Sequence, residues 1–164
     1  MYSYIVKHWV VAFIVSLVVF NAVPAQTGAG DQPKSLYERL GGLMPISVVV
    51  NDFIEVLVPD RVLNANPAID AARKRVPPAY LKYHVTAMVC QATGGPCQYQ
   101  GRDMKSAHAH LNITEKEWER MVVLFKEVLA KHKVPEKETT ELLAIVESTR
   151  ADIVAPKSGS RGNE

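Results

Sequence analysis

Helical periodicity is the feature that most restricts the fold of this chain. Apolar residues recur at spacings of three and four along most of its length, and no long segment alternates with the period of two expected of a strand. One such stripe places a histidine among apolar residues, as in a helix that packs one face on a core. It consists of Leu81, His84, Val85, Met88 and Val89. The pattern predicts an all-α fold of about five or six helices.

Local signals mark where some of these helices begin. Ser35 and Glu38 have the spacing of a capping box. Thr114 and Glu117 repeat that spacing ahead of a long amphipathic segment. Residues 61–77 lack clear periodicity and are interrupted by prolines, so we expect a loop with one helical turn there. The long segment is predicted to face inward through Trp118, Met121, Val122, Phe125, Val128 and Leu129.

The first 25 residues have the pattern of a secretory signal peptide. A weakly basic start is followed by an apolar run at Trp9–Phe20 and by small residues at Val23 and Ala25. The run is shorter than the ~20 residues that cross a bilayer. We therefore expect cleavage before Gln26 and a periplasmic or secreted protein. An uncleaved membrane anchor is the alternative.

The remainder predicts a flexible leader at 26–34, one domain at 35–154 and a disordered tail at 155–164. A domain of this length can bury a single core. The formal net charge is only +2, and no basic run is dense enough to indicate nucleic-acid binding. In an exported protein Cys90 and Cys97 could form a disulfide, and two reduced thiols are the alternative.

Two histidines lie on apolar faces of separate predicted helices, His84 on one and His108 on the other. His108 shares its face with Met104 and Leu111, whereas His110 points about 200° away from it. A zinc site would need three or four converging ligands. A porphyrin brings four ligands itself and needs one axial base in an apolar slot. This arrangement favours haem, bound non-covalently because the chain has no C-x-x-C-H motif.

Several motifs resemble those of one known family in order and spacing. They are LYERLGG at 36–42, VVVNDF at 48–53, GGP at 94–96, YQGRDM at 99–104 and AH at 107–108. The chain is similar to the group 1 truncated haemoglobins, and to their cyanobacterial members in particular. The resemblance implies a two-over-two helical sandwich and a haem b whose proximal iron ligand is His108. It also implies that the paired glycines after the first and third helices let the helices pack closely.

The chain departs from the family on the distal side of the expected haem pocket. Ile54 stands where the family usually has a tyrosine, and Leu81 and Val85 stand where it has glutamines. The usual aromatic pair after the second helix is replaced near Ala65–Asn66. His84 falls where some cyanobacterial members have a histidine that binds iron as a sixth ligand. We expect His84 to coordinate iron; donation to a bound gas, or rotation out of the pocket, are the alternatives.

Three functions follow from these expectations. The first is a haem protein that binds O2, NO or CO, with NO dioxygenase or pseudo-peroxidase activity as an open question and a separate reductase as partner. The second is a bis-histidyl haem protein for electron transfer or for redox or gas sensing. The third is a haem-free helical binding module, favoured only by the missing aromatic pair.

Other residues are candidates for contact with the haem. Lys82 and Lys105 could reach a propionate, and Tyr99 could either pack or contact one. Plain core packing is the alternative for each apolar candidate. The predicted apolar neighbours are Phe53, Leu81, Met88, Met104, Leu111, Ile113, Trp118, Val122 and Phe125.

Overall fold

A computed structural model describes residues 33–156. The predicted signal peptide and nearly all of the predicted leader and tail lie outside the described residues. Nine α-helices form this part of the chain, which contains no strand beyond an isolated bridge between Ile113 and Val154. They are α1 (Leu36–Arg39), α2 (Leu43–Leu57), α3 (Arg61–Asn64), α4 (Pro67–Arg75), α5 (Pro78–Ala92), α6 (Met104–His108), α7 (Glu115–Lys131), α8 (Glu136–Ser148) and α9 (Arg150–Ile153).

The predicted helix starts are confirmed where the signal is local. Ser35 and Glu38 form the capping box of α1, in which the Ser35 amide donates to the Glu38 carboxylate over 2.7 Å. Thr114 and Glu117 form the second box, at the start of α7. Between α1 and α2 the chain turns at Gly41 and Gly42, whose φ angles of 87° and 83° favour glycine.

The expectation of a loop over residues 61–77 is wrong. The segment forms two short helices, α3 and α4. Asp60 caps α3 by accepting from two backbone amides, and Asn66 caps α4 in the same way. Pro67 occupies the first turn of α4, where its missing N–H costs nothing. Short capped helices of this kind carry no extended apolar stripe, which is why periodicity missed them.

Four helices make the two-over-two sandwich. The most extensive packing joins α2 to α5, α7 packs on α8, and α2 meets α7 between the pairs. The core therefore has two parts. Leu36, Phe125, Leu129 and Leu142 form one cluster, and Ile46, Val50 and Ile54 form the other, with Leu40, Phe53 and Val89 packed against both.

A disulfide joins Cys90, near the end of α5, to Cys97 in the loop that leads to α6. Gly95 lies inside this loop, and a Cβ atom there would stand 2.8 Å from the Cys90 sulfur and 2.5 Å from the Tyr37 ring. Both distances are shorter than real contacts, so the close approach requires glycine. Of the two alternatives for the cysteines, the structure contains the disulfide. No helix among the described residues is long and apolar enough to cross a membrane.

Candidate haem site

His108 lies at the end of α6, a helix capped by the Asp103 carboxylate, which accepts from the Ser106 amide over 2.8 Å. The His108 ring is half-buried, and its Nδ1 lies 2.8 Å from the carbonyl oxygen of Met104. Because a carbonyl can only accept, Nδ1 carries the proton and Nε2 keeps its lone pair. Burial lowers the pKa of His108, partly offset by that hydrogen bond, so the neutral ring is favoured. This is the state in which an imidazole binds a metal.

His110 is exposed, as the helical face predicted. The two imidazoles therefore differ in environment although they are separated by a single residue. His108 has a fixed tautomer and a partly apolar surrounding, whereas His110 lies in solvent.

His84 lies in the middle of α5 and is half-buried. Its Nδ1 atom is buried and has no hydrogen-bond partner in the structure. Aromatic rings surround the imidazole instead: the ring centroids of Tyr80, Tyr83 and Tyr99 lie 4.2, 5.1 and 5.9 Å from its own. A buried polar atom without a partner requires an explanation, and a site for a ligand or ion is one.

The predicted distal substitutions all lie in one apolar surface. Ile54 is only 2% exposed and belongs to the cluster formed with Ile46 and Val50. Leu81 and Val85 pack against that same cluster from α5. None of these side chains can donate a hydrogen bond, so this surface lacks the hydroxyl and amide groups expected of the family.

The two helices that carry His84 and His108, α5 and α6, do not pack extensively against each other. α5 packs chiefly on α2, and α6 packs chiefly on α9 and on the 3-10 turn that follows it. Cys90 is the one buried residue of α5, and α6 has none. Half-buried apolar side chains on both helices are Leu81, Met88, Met104 and Ala107. Such a surface fits a flat apolar group held by an imidazole.

The donor set argues for haem over a bare metal ion. Within residues 33–156 no three His, Cys, Asp or Glu side chains converge in a way that could hold a metal. Zinc-type coordination is therefore not supported in this part of the chain. His108 keeps one imidazole nitrogen outside its hydrogen bond to Met104, and His84 has a buried nitrogen without a partner, so each could supply a base to a porphyrin iron.

The remaining haem candidates divide into two groups. Phe125 lies in the core cluster of α1, α7 and α8, and its ring meets Phe53 edge-on at 5.1 Å. Trp118 is likewise buried. Core packing accounts for Phe53 and Phe125 without a cofactor. The half-buried candidates, whose surfaces leave area for a further contact, are Leu81, Met88, Met104, Leu111, Ile113 and Val122.

The polar candidates at the rim have different partners. Lys82 forms an ion pair with Glu55 across α5 and α2, while Lys105 is exposed. The Tyr99 amide donates to Gln91 over 2.7 Å, and its hydroxyl donates to the Arg102 carbonyl over 2.8 Å. Burial raises the pKa of Tyr99. Packing in the loop thus accounts for Tyr99.

Asn66 and the tyrosines of α5 are features that sequence reasoning missed. Asn66 caps α4 and also donates to the Leu111 carbonyl over 2.9 Å, which ties α4 to the turn after α6. It stands where the family's aromatic pair was expected, and it links the segments by a hydrogen bond. Its position directly before Pro67 was the available signal. Tyr80 precedes His84 by four residues, a helical spacing at which side chains meet, whereas Tyr83 is its neighbour in sequence and helical spacing gives no signal for that contact.

Comparison with known proteins assigns the fold and its family. The family model described as bacterial-like globin matches residues 35–155. A group 1 truncated haemoglobin of Chlamydomonas moewusii is 24% identical over 124 residues, which cover 74% of this chain and 69% of that protein. A group 1 truncated haemoglobin of Synechocystis sp. is 36% identical over 78 residues, which cover 47% of this chain and 57% of that protein.

Solved structures show the same fold. The truncated haemoglobin of Tetrahymena pyriformis in its Fe(III) form has a TM-score of 0.65 at 21% identity, covering 75% of this chain and all of that one. The 2/2 haemoglobin of Synechococcus sp., described in the cyanomet state with covalently attached haem, has a TM-score of 0.64 at 24% identity. That match covers 74% of this chain and 98% of the other.

The helical sandwich is therefore that of a two-over-two truncated globin. The chain belongs to the bacterial-like globin family, whose members bind haem and diatomic gases.

Proposed function

We propose that this protein is a truncated haemoglobin that binds haem b non-covalently through His108 and takes up O2, NO or CO at the iron. The observation that carries the proposal is the hydrogen bond between His108 Nδ1 and the Met104 carbonyl at 2.8 Å. This bond occupies Nδ1 of the ring and leaves the lone pair of Nε2 free to bind a metal. Because the bond lies within α6, the helix fixes the orientation of the ring. Haem, when bound, supplies an iron ion with two axial positions at which such bases and gases bind.

The Met104 carbonyl would act on the ligand strength of His108. A hydrogen bond from the second ring nitrogen of a metal-bound histidine fixes its tautomer and its rotation, and it raises the basicity of the ligating nitrogen. The bond lies within one turn of α6, so the orientation of the ring is set by the helix itself. The neutral state favoured by burial leaves Nε2 available without loss of a proton.

His84 would help to hold the haem by binding its iron when no gas is present. Its buried Nδ1 has no partner, and Ile54, Leu81 and Val85, which pack together, carry no hydrogen-bond donor in their side chains. The same apolar surface supports a second function, a bis-histidyl haem protein that transfers electrons. The two functions differ in whether CO can displace His84 from ferrous protein.

A haemin titration of the haem-free protein tests the role of His108. His108→Ala should weaken haem binding by at least about 100-fold, because even the outer partners of metal ligands are worth roughly 10–100-fold. His110→Ala is the matched control, since this imidazole lies two residues away and is exposed. Equal haem affinity of the two variants, or a wild-type chain that takes up no haem, would refute the proposal.

Absorption spectra test His84. We expect wild-type ferric protein to be six-coordinate and low-spin, and His84→Leu to be five-coordinate or to bind water. Slow CO binding to ferrous wild type that becomes fast in His84→Leu supports a gas-binding protein with a displaceable histidine. CO binding that is absent in wild type and restored in the variant supports electron transfer. Unchanged spectra in His84→Leu would exclude His84 as a ligand.

We also infer an oxidising compartment for the mature protein. The disulfide between Cys90 and Cys97 supports this location, because such bonds are rare in reducing cytosol. Mass spectrometry of protein isolated from its cells should find a chain beginning at Gln26. NO dioxygenation there would require a separate reductase, and turnover with and without added electron donor would show whether one is needed.

A further inference from the structure

An apolar groove is formed by α1, α2, α7 and α8, with the turn between α7 and α8 at its edge. Its volume is about 420 Å³, which falls in the range of roughly 300–1,000 Å³ typical of small-molecule sites. Met44 and Val48 on α2 line the groove, although they are 77% and 48% exposed. Neither His84 nor His108 lines it. The candidate iron ligands therefore do not explain this surface.

The polar side chains of the groove are all basic. Of the sixteen described residues that line it, thirteen are apolar and the other three are Arg39, His132 and Lys133. Arg39 and His132 are already engaged with carboxylates of neighbouring helices. Lys133 is exposed and forms no ion pair within residues 33–156. Its ammonium group is therefore available to an anion that enters the groove.

Lys133 has a backbone conformation that favours glycine. Its φ of 53° lies in the left-handed region. Its amide donates to the Ala130 carbonyl and the Val134 amide donates to the Leu129 carbonyl, each over 3.0 Å, which is the pattern of a helix end that usually carries glycine. Lys131 already places a cation in the last turn of α7, where the helix dipole favours one. The turn thus gives no reason for a lysine at 133, whereas a ligand in the groove would.

We propose that this groove binds a free fatty acid, whose hydrocarbon chain lies along the apolar wall and whose carboxylate lies beside Lys133. Burial of each methylene group favours binding in proportion to the apolar area removed from water. The lysine at the edge favours a carboxylate over a cation with the same chain. The inference goes beyond the proposed function and does not depend on haem.

The charges of the groove favour this occupant over two others. A membrane surface is usually bound by clusters of about 4–8 lysines and arginines, whereas the lining of the groove has one cation without an ion pair among the described residues. A second copy of the chain, placed symmetrically, would bring a second Lys133 to the same surface. A single anionic amphiphile matches both the apolar wall and the one available ammonium group.

The test is a calorimetric titration of haem-loaded protein with dodecanoate and with dodecyltrimethylammonium, each below the concentration at which it forms micelles. The two ions have the same chain and opposite charge, and dodecanoate should bind more tightly. Lys133→Gly should weaken dodecanoate binding about fivefold, the upper range for an exposed ion pair. It should not weaken binding of the cation. Because glycine suits the turn, this variant should be no less stable to denaturant than wild type.

Three further variants show whether the groove is the site. Lys133→Arg keeps the charge and should retain dodecanoate affinity. Met44→Glu places a carboxylate on the exposed wall and should weaken dodecanoate binding by more than Lys133→Gly does. Lys126→Ala is the matched control, since this lysine is exposed on α7 and does not line the groove. It should leave the affinity unchanged.

The outcomes separate this site from other occupants and from the haem proposal. Equal affinity for the two amphiphiles, or equal effects of Lys133→Gly and Lys126→Ala, would overturn the proposal. A dimer in sedimentation that Met44→Glu dissociates would assign the groove to a second copy. Binding to phosphatidylglycerol vesicles without binding of dodecanoate would assign it to a membrane, and either result overturns the fatty-acid site. A chain that takes up no haem refutes the proposed function, and the same titration of that chain still tests the groove.

Discussion

The core helices α2, α7 and α8 differ sharply in burial from the site helices α5 and α6. The core helices supply nine of the twelve buried apolar side chains among the described residues, with three on α2, five on α7 and one on α8. The site helices supply one, Cys90. Their apolar residues are half-buried, although the sequence pattern of α5 is that of a core-facing helix. We conclude that packing within the protein buries the apolar side chains of the core helices. The site helices keep accessible apolar surface that a cofactor could cover.

This difference has an energetic consequence. Each fully buried apolar side chain contributes about 1.5–3 kcal/mol relative to an exposed one. Substitutions in the core helices should therefore change the free energy of unfolding of the haem-free protein. Those in the site helices should mainly change haem uptake.

Leu129→Ala should lower the free energy of unfolding of the haem-free protein by about 3–4 kcal/mol. The side chain is 1% exposed in the core cluster, and truncation there leaves a cavity. Met88→Ala, half-buried on α5, should cost less than about 1.5 kcal/mol. Denaturant titration gives both values. Val123→Ala is the control on the same helix as Leu129, because it is 43% exposed. An equal cost for Met88 and Leu129 would contradict the comparison.

Loss of the disulfide should have the next largest effect, about 2.5 kcal/mol, because the bond restricts the unfolded chain over a loop of seven residues. Cys97→Ser is the cleaner variant, since Cys97 is half-buried whereas Cys90 is fully buried. Hydrogen exchange should rise at the end of α5 and stay unchanged in α7. Reductant should destabilise wild type and leave Cys97→Ser unchanged. A reductant effect on the variant would show that the disulfide is not its target.

Asp60 should rank third. Its Oδ1 caps α3 by accepting from the amides of Val62 and Leu63, and its Oδ2 accepts from Arg120 on α7 over 2.8 and 3.0 Å. Asp60→Ala removes both contacts and should cost about 2 kcal/mol, since a helix cap alone is worth roughly 1 kcal/mol. Asp60→Asn keeps an acceptor for the cap and loses the ion pair, so it should cost less. Equal costs would mean that the cap contributes nothing.

Asp60 also determines how the free energy of unfolding should change with pH. Burial raises the pKa of this carboxyl, but hydrogen bonds from Arg120 and two backbone amides outweigh burial and hold the pKa below its usual value. Its stabilisation is therefore complete above the unfolded pKa of about 4 and is lost as pH falls through the folded value. The free energy of unfolding, measured from pH 6 downward, should therefore fall less steeply in Asp60→Asn than in wild type.

Local signals in the sequence predicted much of the fold. The capping box of Ser35 and Glu38 depends on four consecutive residues, and it occurs where its spacing predicted. Periodicity predicted four of the five buried positions of α7; it missed Leu124, and the predicted Met121 and Val122 are only half-buried. The prediction for residues 61–77 was wrong because the two short capped helices there carry no extended apolar face. Their signals were present in Asp60 and in the pair Asn66–Pro67.

The site was predictable only in part, for a physical reason. Helical spacing selected His108 over His110, and the structure agrees on which of the two is exposed. Contacts between distant segments leave no local signal. The Asp60–Arg120 pair spans 60 residues, and the bond from Asn66 to the Leu111 carbonyl spans 45. The sequence likewise cannot show that the buried Nδ1 of His84 lacks a hydrogen-bond partner, because this depends on which distant groups pack around it.

Asp52→Asn should have the smallest effect on the free energy of unfolding, because its lysine partner is on the surface. The carboxylate accepts from Lys131 over 2.8 Å and lies 2.9 Å from His132 Nε2, which joins α2 to the end of α7. Hydrogen bonds from Lys131, His132 and Asn51 hold the pKa of Asp52 well below its usual range.

The lowered pKa of Asp52 does not correspond to a large stabilisation of the fold, because Lys131 is 67% exposed and solvent screens the pair. Added salt should therefore shrink the difference between wild type and Asp52→Asn at neutral pH. It should leave the cost of Asp60→Asn nearly unchanged, because that carboxylate is 8% exposed. Equal salt sensitivity at both positions would show that burial does not separate these two ion pairs. A cost at Asp52 above that of Asp60→Asn would mean that charge contacts between core helices matter more than their burial indicates.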